Sequence, residues 1–259
     1  MKKNSYLMIL TIVTVVCVLA GSAWHIFKWG FSLLDDFVPF FDTDRKDTGK
    51  LLDETGADVE EFTSINIDAS LIDLNIESGD RFSISYSGRE KLRPEYEVKD
   101  SCLYVKQKEG KWWGSNTECS MTITVPKELA EVTVDASTGD IDFEGISIQS
   151  LKMDASLGDI DIEDCILGDV DIDTSTGDLD LANITFDTLK IDASMGDIQV
   201  EAAEDLSDYD IKVDIALGDI TVNGQEYHDS YSSPAAGSDK SVTIDGSTGD
   251  IELSFPHSR

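Results

Sequence analysis

Two columns of aspartate hold most of the chemistry that this chain could perform. Asp135, Asp154, Asp173, Asp192, Asp214 and Asp245 form one, and Asp140, Asp159, Asp178, Asp197, Asp219 and Asp250 the other. Each member of the second column follows a glycine, at Gly139, Gly158, Gly177, Gly196, Gly218 and Gly249. Carboxylates at so regular a spacing can ligate calcium, which prefers oxygen donors. They can work in pairs as the acid and base of glycoside cleavage. They can also accept hydrogen bonds from turn amides beside each glycine. If like residues stack about 4.8 Å apart, neighbouring carboxylates repel by about 0.9 kcal/mol in a water-like medium. Bound cations would relieve that repulsion, so the second column is a candidate calcium ladder. About ten such contacts total roughly 9 kcal/mol, against roughly 36–72 kcal/mol of gross burial in the apolar columns described next. Folding is therefore expected to proceed without metal.

The carboxylates recur because the sequence does. Asp135-Ala136-Ser137-Thr138-Gly139-Asp140-Ile141 returns with small changes at each glycine, at steps of 19, 19, 19, 22 and 31 residues. A period near twenty marks a solenoid in which each coil covers its neighbour's apolar face. Val132 and Val134 represent two apolar columns before the corner, and Ile141 and Phe143 two after it. Within each pair the spacing is two, as along one face of a strand. Parity breaks between the pairs, so the chain must turn there, and glycine tolerates the positive φ or close approach that a tight corner imposes. Consecutive copies are expected to lie one on the next, with Phe255-Pro256 ending the last strand. The fold class is all-β: a β-solenoid-like stack of coils of about 19 residues, carried on an N-terminal transmembrane helix.

That helix is read from residues 6–27, which contain no Asp, Glu, Lys or Arg. As a helix they span about 33 Å, close to a bilayer's hydrocarbon thickness. Lys2 and Lys3 would remain cytoplasmic and the rest would lie outside, a single-pass membrane protein in contact with the lipid bilayer. A signal peptide cleaved after Gly21-Ser22-Ala23 is the competing reading. The expected organisation is a cytoplasmic terminus at 1–5, the anchor at 6–27, a juxtamembrane linker at 28–61, a β subdomain or cap at 62–125, the repeat solenoid at 126–255 and a tail at 256–259. The formal net charge of -32 argues against nucleic acid as a partner.

Four cysteines are present. Cys102 and Cys119 flank an expected hairpin whose symmetric register would set them opposite each other, as a disulfide or as two small apolar residues. Two segments interrupt the repeats and are candidate binding loops: the 108–116 tip with Trp112 and Trp113, and the 224–240 insertion with Tyr227, His228 and Tyr231. Exposed aromatics on loops of a rigid scaffold suit sugar faces or partner proteins. The two tryptophans could equally pack over the end of the solenoid. Only His25, His228 and His257 occur, and no nucleophile elbow, metal-binding histidine pair or phosphate loop is present. A catalytic site is a local exception, whereas these aspartates occur in every coil. The expectation is no enzyme, no catalytic residue and no cofactor apart from the candidate calcium.

The Ser-x-Gly-Asp-Ile/Leu repeats, the Leu103-Tyr104-Val105 strand and the Met121-Thr122-Ile123-Thr124-Val125-Pro126 segment together resemble the bacterial "putative adhesin" family of unknown function, with its LiaG-like and YvlB-like membrane-anchored members. The resemblance spans about Phe62 to Phe255 and implies a β-solenoid-like module at the cell envelope. The function expected is adhesion or envelope interaction, with a cell-wall glycan or an envelope protein as partner. An accessory role in envelope-stress signalling is the alternative, and a glycan-active enzyme ranks last.

Overall fold

The computed structural model describes residues 50–108, 119–126, 128–235 and 238–256. They form one compact unit. The apolar run 6–27 lies outside the described residues, as do Trp112, Trp113 and His257. Among the described residues no helix is long and apolar enough to cross a membrane. That finding overturns the expected single-pass anchor and the cell-membrane location built on it. The stretch expected to be a linker contains a strand, β1 (Leu51–Asp58).

The strands that follow are β2 (Ser64–Ala69), β3 (Asp73–Ser78), β4 (Ser83–Arg89), β5 (Glu95–Lys99), β6 (Cys102–Lys106) and β7 (Cys119–Val125). Four regular coils come next, each giving two strands: β8 (Leu129–Ala136) with β9 (Ile141–Glu144), β10 (Ser147–Ala155) with β11 (Ile160–Glu163), β12 (Ile166–Thr174) with β13 (Leu179–Ile184), and β14 (Thr188–Ala193) with β15 (Ile198–Ala202). The chain ends with β16 (Tyr209–Val222), β17 (Gln225–Ser233), β18 (Lys240–Thr248) and β19 (Ile251–Ser254). The nineteen strands of the described residues belong to one sheet system. Its regular part is two parallel ladders, one from the first strand of each coil and one from the second. Every residue of the four expected apolar columns is buried, none more than 4 % exposed. A further inward position, just before the corner, takes small residues: Ala69, Ala136, Ala155, Thr174 and Ala193. At the opposite turn Ile146, Cys165 and Ile184 are buried in successive coils.

The coils do not all stack in chain order. The last copy, β18 and β19, lies between the β14–β15 coil and β16. The other end repeats the device: β2 and β3 lie between β6–β7 and β8–β9. Local turns account for both. At Asn223-Gly224 both residues have positive φ, the type I′ pattern of a two-residue hairpin. The chain therefore reverses straight from β16 into β17, which lies antiparallel along it. The slot left open is then filled by the next parallel coil. Asp100 and Ser101, also at positive φ, make the corresponding turn from β5 to β6. Phe255-Pro256 accordingly follows an interior coil, and among the described residues the outermost strand at this end is β17. Its charged residues and a register break beside β16 blunt that edge against further pairing. Beneath it, Tyr209 packs on Phe186 at 4.8 Å and Phe255 at 5.7 Å, closing the core.

The expected hairpin carrying Cys102 and Cys119 does not form. Strand β6 pairs with β2 and β5, while β7 pairs with β3 and β4, so the two cysteines occupy different ladders and are free thiols. Alternation could not distinguish the two arrangements, because a strand of a parallel coil reads the same as a strand of a hairpin. Cys165 is also a free thiol and is buried.

Candidate functional site

The corner joining the two ladders is the most repeated structure in the molecule. There each glycine backbone rests against the corner of the adjacent coil. A Cβ on Gly158 would lie 2.0 Å from the Gly139 carbonyl oxygen, and one on Gly177 1.9 Å from that of Gly158. Their φ values, +142° and +140°, are also those that a side chain resists. Close approach and conformation both demand glycine. The contacts run in the order 139, 158, 177, 196, 249, 218, which restates the exchanged order of the last two coils.

The aspartates after the glycines form a matching ladder. The Asp159 backbone N–H donates to Asp140 Oδ1 at 3.0 Å, Asp178 to Asp159 at 2.8 Å and Asp197 to Asp178 at 2.8 Å. The row continues from Asp250 to Asp197 at 2.8 Å and from Asp219 to Asp250 at 2.9 Å, and its other end is Asp140 donating to Asp73 at 3.2 Å. The corner takes these amides out of the regular strand pattern, and a carboxylate from the coil before replaces the missing carbonyl. Asp219 ends the row, and there His228 Nδ1 lies 2.9 Å from its Oδ1.

The structure thus brings the six candidate calcium residues into one file, yet arranges them poorly for calcium. Calcium needs several oxygens converging on one point. In this file each coil supplies one carboxylate, and one oxygen of it already faces an amide proton, or His228 at Asp219. Among the described residues no group of three or more His, Cys, Asp or Glu is placed to hold a metal ion.

A third acidic file, missed in the sequence, lies beside the second ladder. Asp142, Asp161 and Asp180 are register partners on β9, β11 and β13. Partial desolvation, and then neighbouring carboxylates, hold the half-buried Asp142 and the largely exposed Asp161 above the ordinary Asp pKa. The corner is flanked by two open grooves. One, of about 300 Å³, is lined by Asp154, Asp173, Asp192 and Asp245 with Ser175 and Ser194. The other, of about 530 Å³, is lined by Asp178, Asp197, Asp250 and Asp219 with Gln199 and Glu252.

The aromatic candidates in the 224–240 insertion sit on strand β17 rather than on a loop. Tyr227 and Tyr231 pack on each other at 4.6 Å and against the core, while His228 is exposed. Another residue missed in the sequence is Gln107, only 2 % exposed. Its Oε1 accepts from the Ser70 and Leu71 amides at 3.1 and 2.6 Å, and its Nε2 donates to the Leu71 and Leu92 carbonyls at 2.8 and 2.7 Å. It ties the corner of the β2–β3 coil, where Ile72 stands in place of glycine. Only its position after the Leu103–Val105 alternation, level with the small-residue column, could have signalled it.

The Toastrack DUF4097 family profile matches residues 62–259. No curated protein matches the chain. Among solved structures, a "putative cell adhesion protein" from Clostridium sporogenes ATCC 15579 is similar at 19 % identity and a TM-score of 0.53, covering 80 % of this chain and all of the other. A "putative adhesin" from Bacteroides fragilis NCTC 9343 is similar at 17 % identity and a TM-score of 0.43, covering 79 % of this chain and 97 % of the other.

Proposed function

The chain belongs to the Toastrack DUF4097 family, and on that premise we propose that it is a non-enzymatic, adhesion-like binding scaffold. The observation that supports this reading is the uniformity of the acidic corner. Five of the six second-column aspartates accept the same amide bond from the adjacent coil, so these carboxylates act as structural acceptors, and Asp219, at the end of the row, faces His228 Nδ1 instead. A uniform, rigid array offers many equivalent contacts, which suits holding a surface better than transforming a small molecule. The similar Clostridium sporogenes structure, a "putative cell adhesion protein", agrees with that role. The full chain, incubated with insoluble cell-surface material, is expected to bind it saturably while soluble reducing sugar stays at background. Steady release of product in proportion to protein, or no retention at all, would contradict the reading.

A further inference from the structure

The residue before each corner glycine alternates in character, but only in the order in which the coils lie. Backbone bonds between adjacent corners give that order as Thr138, Leu157, Thr176, Met195, Thr248, Leu217. Along the chain Leu217 precedes Thr248, and the alternation fails. A duplicated two-coil unit would keep its phase along the chain, so the pattern belongs to the folded surface. The core does not account for it either, because Leu157, Met195 and Leu217 are 52 %, 56 % and 68 % exposed. The outer face of the first ladder repeats the rhythm. Register partners there run Thr133, Lys152, Asp171, Lys190, Thr243, Lys212, with lysine on the same coils as the large apolar residues. The surface unit is therefore two coils, about 9.6 Å from the strand separation.

A ridge with an apolar side chain at every second coil, between two files of carboxylates, selects its ligand by period and by charge. The acidic flanks repel anionic polymers. Their oxygens accept hydroxyl protons, and the amide ladder uses at most one oxygen of any second-column carboxylate. In an extended β-1,4-linked glycan successive rings turn over, so like C–H faces recur every second ring, a distance close to two strand separations. An α-1,4-linked glucan coils and cannot keep that step. We propose that this corner ridge binds an uncharged, extended β-1,4-linked glycan. Alternate rings rest on Leu157, Met195 and Leu217, and hydroxyls reach the flanking aspartates. The assignment rests on the adhesion-like reading and narrows it to one ligand class.

Calorimetric titration of the full chain with cellohexaose, chitohexaose, cellobiose and maltohexaose tests it. At least one β-1,4 hexaose should saturate the protein, cellobiose should bind at least tenfold more weakly, and maltohexaose should not bind. Replacing the three ridge residues together (Leu157→Ser, Met195→Ser, Leu217→Ser) should weaken the hexaose at least tenfold with an unchanged unfolding midpoint. The pair Leu157→Thr with Thr176→Leu keeps composition and shifts the spacing, and should weaken binding as much as Leu157→Thr alone. Equal binding of maltohexaose, indifference to the ridge variants, or no β-1,4 hexaose binding would overturn the proposal. If cell-surface material is still retained in that last case, the adhesion-like reading survives; if it is not, both fall.

Discussion

At the scale of single residues, the Gly-Asp dipeptide solves a problem created by turning a corner within a parallel stack. The turn brings one coil's backbone onto the next, which removes room for a Cβ, and it strands an amide, which the aspartate satisfies. The two demands on glycine can be separated by experiment. At Gly177 a Cβ would strike the Gly158 carbonyl at 1.9 Å, whereas at Gly224, also at positive φ, nothing lies within 4 Å. Gly224→Ala is expected to cost about 1 kcal/mol, the left-handed penalty alone. Gly177→Ala adds a backbone collision that no rotamer relieves, and is expected to cost about 3–5 kcal/mol. Urea unfolding of the two variants measures the contrast, and equal costs would show that close packing at the corner has been misjudged.

At the scale of elements, the β9–β11–β13 ladder sets Asp142, Asp161 and Asp180 in register, and Asp142 and Asp161 are raised above the ordinary Asp pKa. A raised folded pKa means that the folded chain holds the proton more tightly than the unfolded chain does. The stabilisation is complete below the unfolded pKa and is lost as the pH climbs through the folded one, so neutral pH is the unfavourable side. Asp161→Asn should therefore stabilise the protein at pH 7, by only about 0.3 kcal/mol because the site is exposed. The gain should vanish near pH 3, as chemical denaturation at the two pH values would reveal; a gain that grows on acidification would reverse the sign argued here. The inward strands of these elements were legible in the sequence, since period two and Gly-Asp locate Val132, Val134, Ile141 and Phe143 without ambiguity. Their partners were not. Identical repeats carry no label for the slot they fill, so the exchange of β16 with β18–β19 rests on the Asn223-Gly224 turn, a short signal inside what reads as an insertion. The bonds of Gln107 were hidden for a similar reason, because they go to backbone groups of residues distant in sequence.

At the scale of the whole molecule, a formal net charge of -32 and the blunted β17 edge oppose further strand pairing and leave the long sides of the stack for contact. The coil order is the claim on which the rest depends, since it closes the end, completes the aspartate file and sets the two-coil rhythm of the ridge. Disulfide trapping tests it directly. Asp192 and Asp245 are register partners on adjacent strands, as are Asp245 and Asp214. Adjacent parallel strands bring Cα atoms within disulfide reach, while two strand separations, about 9.6 Å, do not. In a chain whose native cysteines have been replaced, Asp192→Cys with Asp245→Cys and Asp245→Cys with Asp214→Cys should each oxidise readily, and Asp192→Cys with Asp214→Cys should remain reduced. Ready oxidation of that third pair, with the first pair inert, would mean that the coils stack in chain order and would contradict the account.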